Sequence, residues 1–557
     1  MTKSITNSYF WSMRKLILLF LLTFPFLLHA QSSDMRPVLV VGVVVDQMRP
    51  DFITKYWSKL GNNGFKKLWN DGFNCKNTQY NYAPTHTGPG HASIYTGTTP
   101  SYHGITGNDW YDTPSKDTVN CVLDNNVIPV GTNGSEGKAS PSRLLTTTIT
   151  DELKLSTQMK AKVISVSLKN RGAILPGGRA ADGAYWFENA TGNWITSSWY
   201  RNDLPKWLID FNGRKWSDEY LSRPWTTVLP IKEYTESDID DSPYEAPFIG
   251  AEKPIFPHDL PKLKGNTYSL LVDIPFGNTM TKDLALAAIS GEKLGDDTIT
   301  DFLAISFSAV DHIGHQFGPN SVEMEDAYIR LDRDLADLLT FLDNRIGKGK
   351  YLMFLTADHA CIDNPIQLKD KKLNGGIIST KAIQDTSRYF LKMRYGKAEY
   401  FRCRIKEQVY LNTELIEKDK LSACDMSKEL ATYLRTHIIG MNKTLTSCDM
   451  QSQMYQDLFQ SRIQSGHFPG RGGDVYLLYQ AGWTEPIDGA DRTKGTTHGS
   501  PYIFDAHVPL FWYGWHIQKG SSFDEVNITD IAPTLSFLLN ITLPNACIGK
   551  KIDAIIK

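Results

Sequence analysis

Four stretches of the chain are apolar with almost no interruption, and each ends on a charged residue. Val38 to Val45 reads VLVVGVVV and ends at Asp46, and Val163 to Leu168 reads VISVSL and ends at Lys169. Phe302 to Val310 reads FLAISFSAV and ends at Asp311, and Tyr351 to Thr356 reads YLMFLT and leads to Asp358-His359. Such runs suit strands buried on both faces, as in a parallel sheet covered by helices. Between the last two, Met324, Tyr328, Leu331, Leu335, Leu338 and Leu342 recur at spacings of four and three after Ser321. That draws one apolar stripe down a helix, with Gly347 as its stop. The strand–helix–strand order makes the fold class α/β, a largely parallel central sheet with helices on both faces. In open sheets of this kind ligands bind outside the carboxyl ends of the strands.

Two long stretches lack this rhythm. One covers about 172–300 and is rich in Trp, Tyr and Pro, as in AYWFENATGNWITSSWY; the other covers about 360–497, between Asp358-His359 and His498. Both are too long for connections, so they read as insertions that roof the site. At the start, Arg14 and Lys15 precede an uncharged apolar run from Leu16 to Leu28, followed by His29-Ala30. The run is short for a membrane span of about 20 residues and reads as an export signal over 1–30, with Met13 a conventional start. The expected product is a mature chain 31–557 forming one catalytic domain, periplasmic or extracellular. No second apolar run of that length occurs, so no integral membrane span is expected in it.

Composition narrows the chemistry. Lys plus Arg number 59 and Asp plus Glu 61, a formal charge of −2, which leaves no basic footprint for nucleic acid as a specific partner. Attraction for an anionic substrate must then be local. Seven cysteines without any C-x-x-C remove the usual zinc-finger and thioredoxin readings, and Cys424 and Cys448 are close enough in sequence for a local bridge.

The strand-terminal residues form a metal-ligand set. Asp311 and His315 make D-x-x-x-H, Asp358-His359 follows a strand, Asp46 ends the first strand, and His498 lies in THGS before the run VPLFWY. Three carboxylates and three imidazoles suffice for two adjacent zinc ions with open positions, and the lack of thiolates favours catalytic over structural metal. A lone D-x-x-x-H is more often structural; the combination carries the inference. Thr87, in PTHTGPGHASIYTG, is the nucleophile candidate. Pro89 suits a first helical turn, so backbone donors of Gly88 and its neighbours would face an anion at a helix N-terminus. A threonine alcohol needs activation, which a metal can supply. The plainer alternative is that Thr87 only caps the helix.

At this point the segment THTGPGHASIYTGTTPSYHGITGN resembles the nucleophile region of the alkaline phosphatase superfamily. The matching branch is shared by nucleotide pyrophosphatase/phosphodiesterases and threonine-type bacterial alkaline phosphatases. It pairs T-x-x-x-H, here Thr87 to His91, with a later H-G-I-x-x-N, here His103 to Asn108. The resemblance implies that Asp311, His315 and His498 hold one zinc. Asp46, Asp358 and His359, with the Thr87 oxygen, would hold the other, and Asn108 would donate to a nonbridging phosphate oxygen. It further implies hydrolysis of phosphate monoesters to alcohol and inorganic phosphate through a phosphothreonine. His91 and His103 are read as packing or hydrogen-bonding residues. Lys169 and Arg171, in SVSLKNRGAILPGG, would face one target if the segment is extended, and a cation pair suits a phosphate dianion. The monoesterase branch has such a Lys-x-Arg pair. Cys361 is not expected to be a ligand. Two alternatives stay open: a nucleotide phosphodiesterase of the same superfamily, and a secreted binding protein that has lost catalysis.

Overall fold

The computed structural model describes residues 36–486 and 493–556. The expected export signal lies outside the described residues. From Val38 onward the chain forms one compact unit.

In chain order the main strands are β1 (Leu39–Val45), β2 (Phe73–Gln79), β3 (Val163–Ser167), β4 (Gly183–Glu188), β5 (Asn193–Ser197), β6 (Asp301–Phe307) and β7 (Tyr351–Thr356). Next come β8 (Phe401–Ile405), β9 (Gln408–Leu411), β10 (Met441–Thr446) and β11 (Val475–Tyr479), then β12 (Leu510–Gly514) and β13 (Gly520–Asn527). The helices used below are α1 (Thr87–Thr96), α2 (Asn170–Gly177), α3 (Phe276–Glu292), α4 (Ala309–Phe317), α5 (Val322–Leu342), α6 (Thr380–Tyr395) and α7 (Ala423–His437).

The central sheet has eleven strands, and its middle runs β12-β7-β1-β6-β3-β4-β5. The neighbours β7, β1, β6, β3 and β4 are parallel, while β12 pairs antiparallel with β7 and β5 antiparallel with β4. The sheet is therefore mixed, with the parallel part in the centre where burial on both faces is complete: every residue of β1, β6 and β7 is buried.

Register explains why the charged residues meet. Val44 lies opposite Thr356, Val45 opposite Phe307, and Ser167 opposite Ser306. The carboxyl ends of β1, β3, β6 and β7 thus finish in line, and the residues just beyond them share one edge of the sheet.

The apolar stripe evident in the sequence is the buried face of α5; Ser321 is its N-cap, its hydroxyl accepting from the Met324 N–H at 3.1 Å. The run FLAISFSAV does not stay a strand to its end. It leaves the sheet after Phe307 and turns into α4, which puts Asp311 and His315 one turn apart on a single helix.

Two expectations need correction. The stretch 172–300 is not wholly a roof, because β4 and β5 extend the central sheet and α3 packs against β3 and β6. Lys169 and Arg171 are not on one extended segment: β3 ends at Ser167, Lys169 is the N-cap of α2, and Arg171 lies in its first turn. The stretch 360–497 builds a separate antiparallel sheet, β8-β9-β11-β10, whose strands pack with α6 and α7 around a hydrophobic core of their own that includes Ile383, Val409, Leu430 and Leu477. Cys424 and Cys448 are disulfide-bonded within it.

Candidate active site

Asp46 follows β1, Asp358 and His359 follow β7, and the ligand atoms of these three lie within 4.8 Å of one another. Asp311 and His315 on α4 form a second group with His498, again within 4.8 Å. The two groups adjoin. His498 stacks on His359 with ring centroids 3.5 Å apart, and the Lys169 ammonium donates to Asp46 Oδ2 at 2.6 Å and to Asp311 Oδ2 at 2.5 Å.

The three imidazoles share one arrangement. His315 Nδ1 faces the Thr496 carbonyl at 2.8 Å, His498 Nδ1 the Thr85 carbonyl at 2.8 Å, and His359 Nδ1 the Ala360 carbonyl at 3.1 Å. A nitrogen facing a carbonyl must donate, so each ring carries a proton on Nδ1 and leaves Nε2 as the atom available to a metal. This is how metal-binding histidines are held. Asp46 Oδ1, Asp358 Oδ2 and His359 Nε2 are buried without a hydrogen-bond partner. A buried polar atom left unpaired costs about 1–3 kcal/mol, so three converging ones ask for a cation. The donor set therefore fits divalent metal, with no thiolate involved. Cys361 is buried and free and belongs to neither group.

Electrostatics divides the carboxylates. Burial alone would raise Asp311, but His315 and Lys169 beside it hold it well below the usual range. Burial, then the Asp46 charge, pushes Asp358 well above that range. Burial would lower the Lys169 ammonium, yet Asp311 and Asp46 keep it raised.

Thr87 is the first residue of α1, a helix buried along its whole length. His86 occupies the N-cap position without a side-chain cap bond, so Thr87 does not cap. The Gly88 N–H is not free for an anion as the sequence suggests, because it donates to Asn108 Oδ1 at 2.7 Å. That bond leaves the Asn108 side-chain NH2 as the donor still available. The His91 Nδ1–H donates to the Thr87 carbonyl at 2.9 Å, and its Nε2 sits 3.0 Å from Ser306 Oγ. His103 bonds Ser93 Oγ at 2.9 Å and the Ile105 N–H at 3.1 Å. Gly90 lets α1 close onto the metal edge, since a Cβ there would lie 2.4 Å from the Asp358 carbonyl oxygen.

Gln47 is a member of the site that the sequence does not single out. Its Nε2 donates to Asp311 Oδ1 at 2.6 Å and its backbone N–H to Asp358 Oδ1 at 3.2 Å, so it ties the two groups together from a left-handed backbone (φ 62°). Its side chain fits only because residue 314 has no Cβ; one there would lie 2.0 Å from Gln47 Oε1. The glycine inside D-H-I-G-H is the available signal. Gly314→Ala is expected to lower kcat/KM by at least about tenfold and stability by about 1–3 kcal/mol, read from steady-state kinetics and thermal melting. Wild-type values for both would show that Gln47 is not held by this fit.

The sequence pattern of the type I phosphodiesterase / nucleotide pyrophosphatase family matches residues 40–501. The chain belongs to that family. Within it, the chain is 42% identical over 528 residues to alkaline phosphatase PhoV of Synechococcus elongatus, covering 94% of this chain and 93% of PhoV. Alkaline phosphatase PafA of Elizabethkingia meningoseptica is 40% identical over 538 residues, covering 95% and 97%. The crystal structure of wild-type PafA superposes with a TM-score of 0.89 over 94% of this chain and 99% of that one, at 39% identity. A Myroides odoratus protein described as a calcium-transporting ATPase is 42% identical over 542 residues, covering 96% and 97%. The family fold accounts for the sheet order and for the edge on which the two groups meet.

Proposed function

We propose that this family member is an exported, two-zinc alkaline phosphatase that hydrolyses phosphate monoesters to alcohol and inorganic phosphate. The observation that carries the reading is the meeting of two carboxylate–imidazole groups with Thr87 at the first turn of a buried helix. The similarity to PhoV and PafA supports phosphate esters as substrates. The short apolar run before Gln31 supports export, and among the described residues no helix is long and apolar enough to cross a membrane. The description of the Myroides odoratus relative names a different activity; the residues gathered around Thr87 fit ester hydrolysis.

In this reading Asp311, His315 and His498 hold one zinc, and Asp46, Asp358 and His359 with the Thr87 oxygen hold the other. Bound zinc supplies charge stabilisation for the attacking and leaving oxygens and lowers the pKa of coordinated hydroxyl groups. The Thr87 oxygen would lose its proton and attack phosphorus in line while the bond to the alcohol oxygen breaks and the alcohol leaves protonated; water would then attack the phosphothreonine, regenerating the Thr87 hydroxyl and releasing phosphate. The Asn108 amide NH2 donates to a nonbridging oxygen. Lys169 and Arg171 oppose the dianion, Lys169 from its position between Asp46 and Asp311, and Arg171 from the first turn of α2 with its Nε buried and unpaired. Phosphoryl transfer asks mainly for positioning and charge stabilisation, which these groups provide.

Chelation is expected to remove activity and zinc to restore it, with two zinc ions per chain by elemental analysis. Full turnover by metal-free protein would end the mechanism. A nucleotide phosphodiesterase is the second reading, favoured by the family description. Rates on an aryl phosphate and its methyl diester separate the two: the monoester must be faster, and turnover of neither would leave a binding protein.

A further inference from the structure

A cavity of about 470 Å³ is lined by His315 and His498 of the second group. Its near wall is His86, Asn108, His315 and His498, and its far wall is the stretch 360–497, the cap, with Lys406, Glu407 and Trp483 among its residues. In-line attack by Thr87 sends the departing alcohol toward the metal group opposite the nucleophile. This cavity is the space next to the two imidazoles of that group.

Among the cavity-lining residues with buried polar atoms that lack a hydrogen-bond partner (Arg404 Nε, Glu407 Oε2, Tyr476 Oη and Asp505 Oδ1), Glu407 is the carboxylate on the cap turn. Glu407 lies on the turn between β8 and β9, a turn anchored where the Leu477 N–H of β11 donates to the Glu407 carbonyl at 2.8 Å. The residue is only 9% exposed, yet Oε2 has no hydrogen-bond partner. Across the cavity stands His86, whose Nε2 is 3.8 Å away, beyond a direct hydrogen bond. His86 in turn stands edge-on to His498, with ring centroids 5.5 Å apart, so the carboxylate sits one imidazole removed from a metal ligand. The other charges near it are committed or solvated. Arg404 pairs with Glu485, which also accepts from Tyr479 Oη at 2.6 Å, and Lys406 is exposed on the same turn. A buried acceptor left unsatisfied is costly, and a site built to hydrogen-bond a hydroxyl discriminates strongly against a ligand that lacks it.

We propose that Glu407 is a specificity residue for the leaving group, accepting a hydrogen bond from a hydroxyl of a polyol alcohol, so that sugar phosphates are preferred substrates. This rests on the phosphatase reading for its chemistry and on the cap for its recognition. Burial, then the Glu485 charge, pushes Glu407 up to about 8, so the contact is strongest on the alkaline side, where the side chain is a carboxylate. The charged or titratable groups around it are Glu485, Arg404, Lys406, His86 and the β11 tyrosines Tyr476 and Tyr479.

The test compares glucose 6-phosphate with cyclohexylmethyl phosphate, which keeps the ring and loses the hydroxyls. Wild-type, Glu407→Gln and Glu407→Ala proteins, all zinc-loaded, are assayed above the Glu407 pKa. The wild type is expected to favour the sugar ester in kcat/KM by about tenfold or more, and both variants to lose most of that preference. In parallel, calorimetry measures binding of the same two esters to Thr87→Ala protein with and without Glu407→Gln. A binding preference that depends on Glu407 in a wild-type enzyme without turnover would keep the subsite and sink the hydrolase reading. The proposal is overturned if the wild type shows no preference, or if the variants lose activity on both esters by the same factor. The second result would make Glu407 a support for His86.

Discussion

Thr87→Ala protein is expected to lose phosphate-ester hydrolysis, with kcat/KM falling by about a thousandfold or more. The expectation comes from chemistry and position together: the alcohol is the only part of the side chain the reaction needs, and it lies in the first turn of a buried helix that packs on Asp358 through Gly90. Stability should change little, by about 1 kcal/mol, because Thr87 is not the cap of α1. Thr87→Ser keeps the hydroxyl and should retain much of the activity. Acid quenching during turnover of a labelled monoester should trap phosphate on Thr87. An alanine variant with near-normal rates would move the attack to water and remove the phosphothreonine from the mechanism.

The second large effect separates Lys169 from Arg171. As an equivalent pair on one strand they would share one role, whereas their places in the structure give them different ones. Lys169 bridges a carboxylate of each metal group, so Lys169→Met leaves two buried carboxylates without their shared cation. Removing one partner of a buried ion pair costs about 3–5 kcal/mol, and metal-free protein should melt correspondingly lower. Zinc, which supplies the missing charge, should restore much of that loss. Arg171 forms no ion pair with another described residue, so Arg171→Ala should leave the metal-free melting point close to wild type. Both variants should lower kcat/KM on a monoester more than on its methyl diester, by about ten- to a hundredfold, because only the monoester presents the extra charged oxygen. Equal losses on monoester and diester would make both residues structural and shift weight to the phosphodiesterase reading.

What the sequence discloses follows from the physics of each signal. Strands buried on both faces cannot hide, because every position must be apolar, and β1, β3, β6 and β7 are legible for that reason. The α5 stripe is legible because one face is solvated. Charged residues just beyond such strands gain meaning from the topology, so Asp46, Asp311 and Asp358 stand out from the linear pattern alone. Other parts give weaker signals. The helix that holds Arg171 contains Pro176 and two glycines within eight residues, a composition that conceals a helix. The hairpin β4–β5 is written as short aromatic runs around Thr191-Gly192, and its strand signal is weakened because the run ending at Glu188 is only six residues and rich in Trp, Tyr and Phe rather than β-branched residues. Gln47, Gly90 and Gly314 act through close contacts between segments far apart in the chain, and no local pattern encodes those. Glu407 lies nearly fifty residues from the nearest metal ligand in sequence, and only folding of the cap brings it to the cavity.

The cap leaves the chain just after β7 and returns just before β12, and these two strands are hydrogen-bonded neighbours, with Thr356 opposite Leu510. Its ends are therefore pinned side by side by the sheet. The entropy of closing a loop grows only slowly with its length, so a segment with such a doorway can lengthen, shrink or be replaced at small cost to the frame beneath. Selection can then revise which alcohols enter without disturbing the oxygens and nitrogens that hold metal, and descendants of one ancestral hydrolase can part company in diet while sharing a single chemistry.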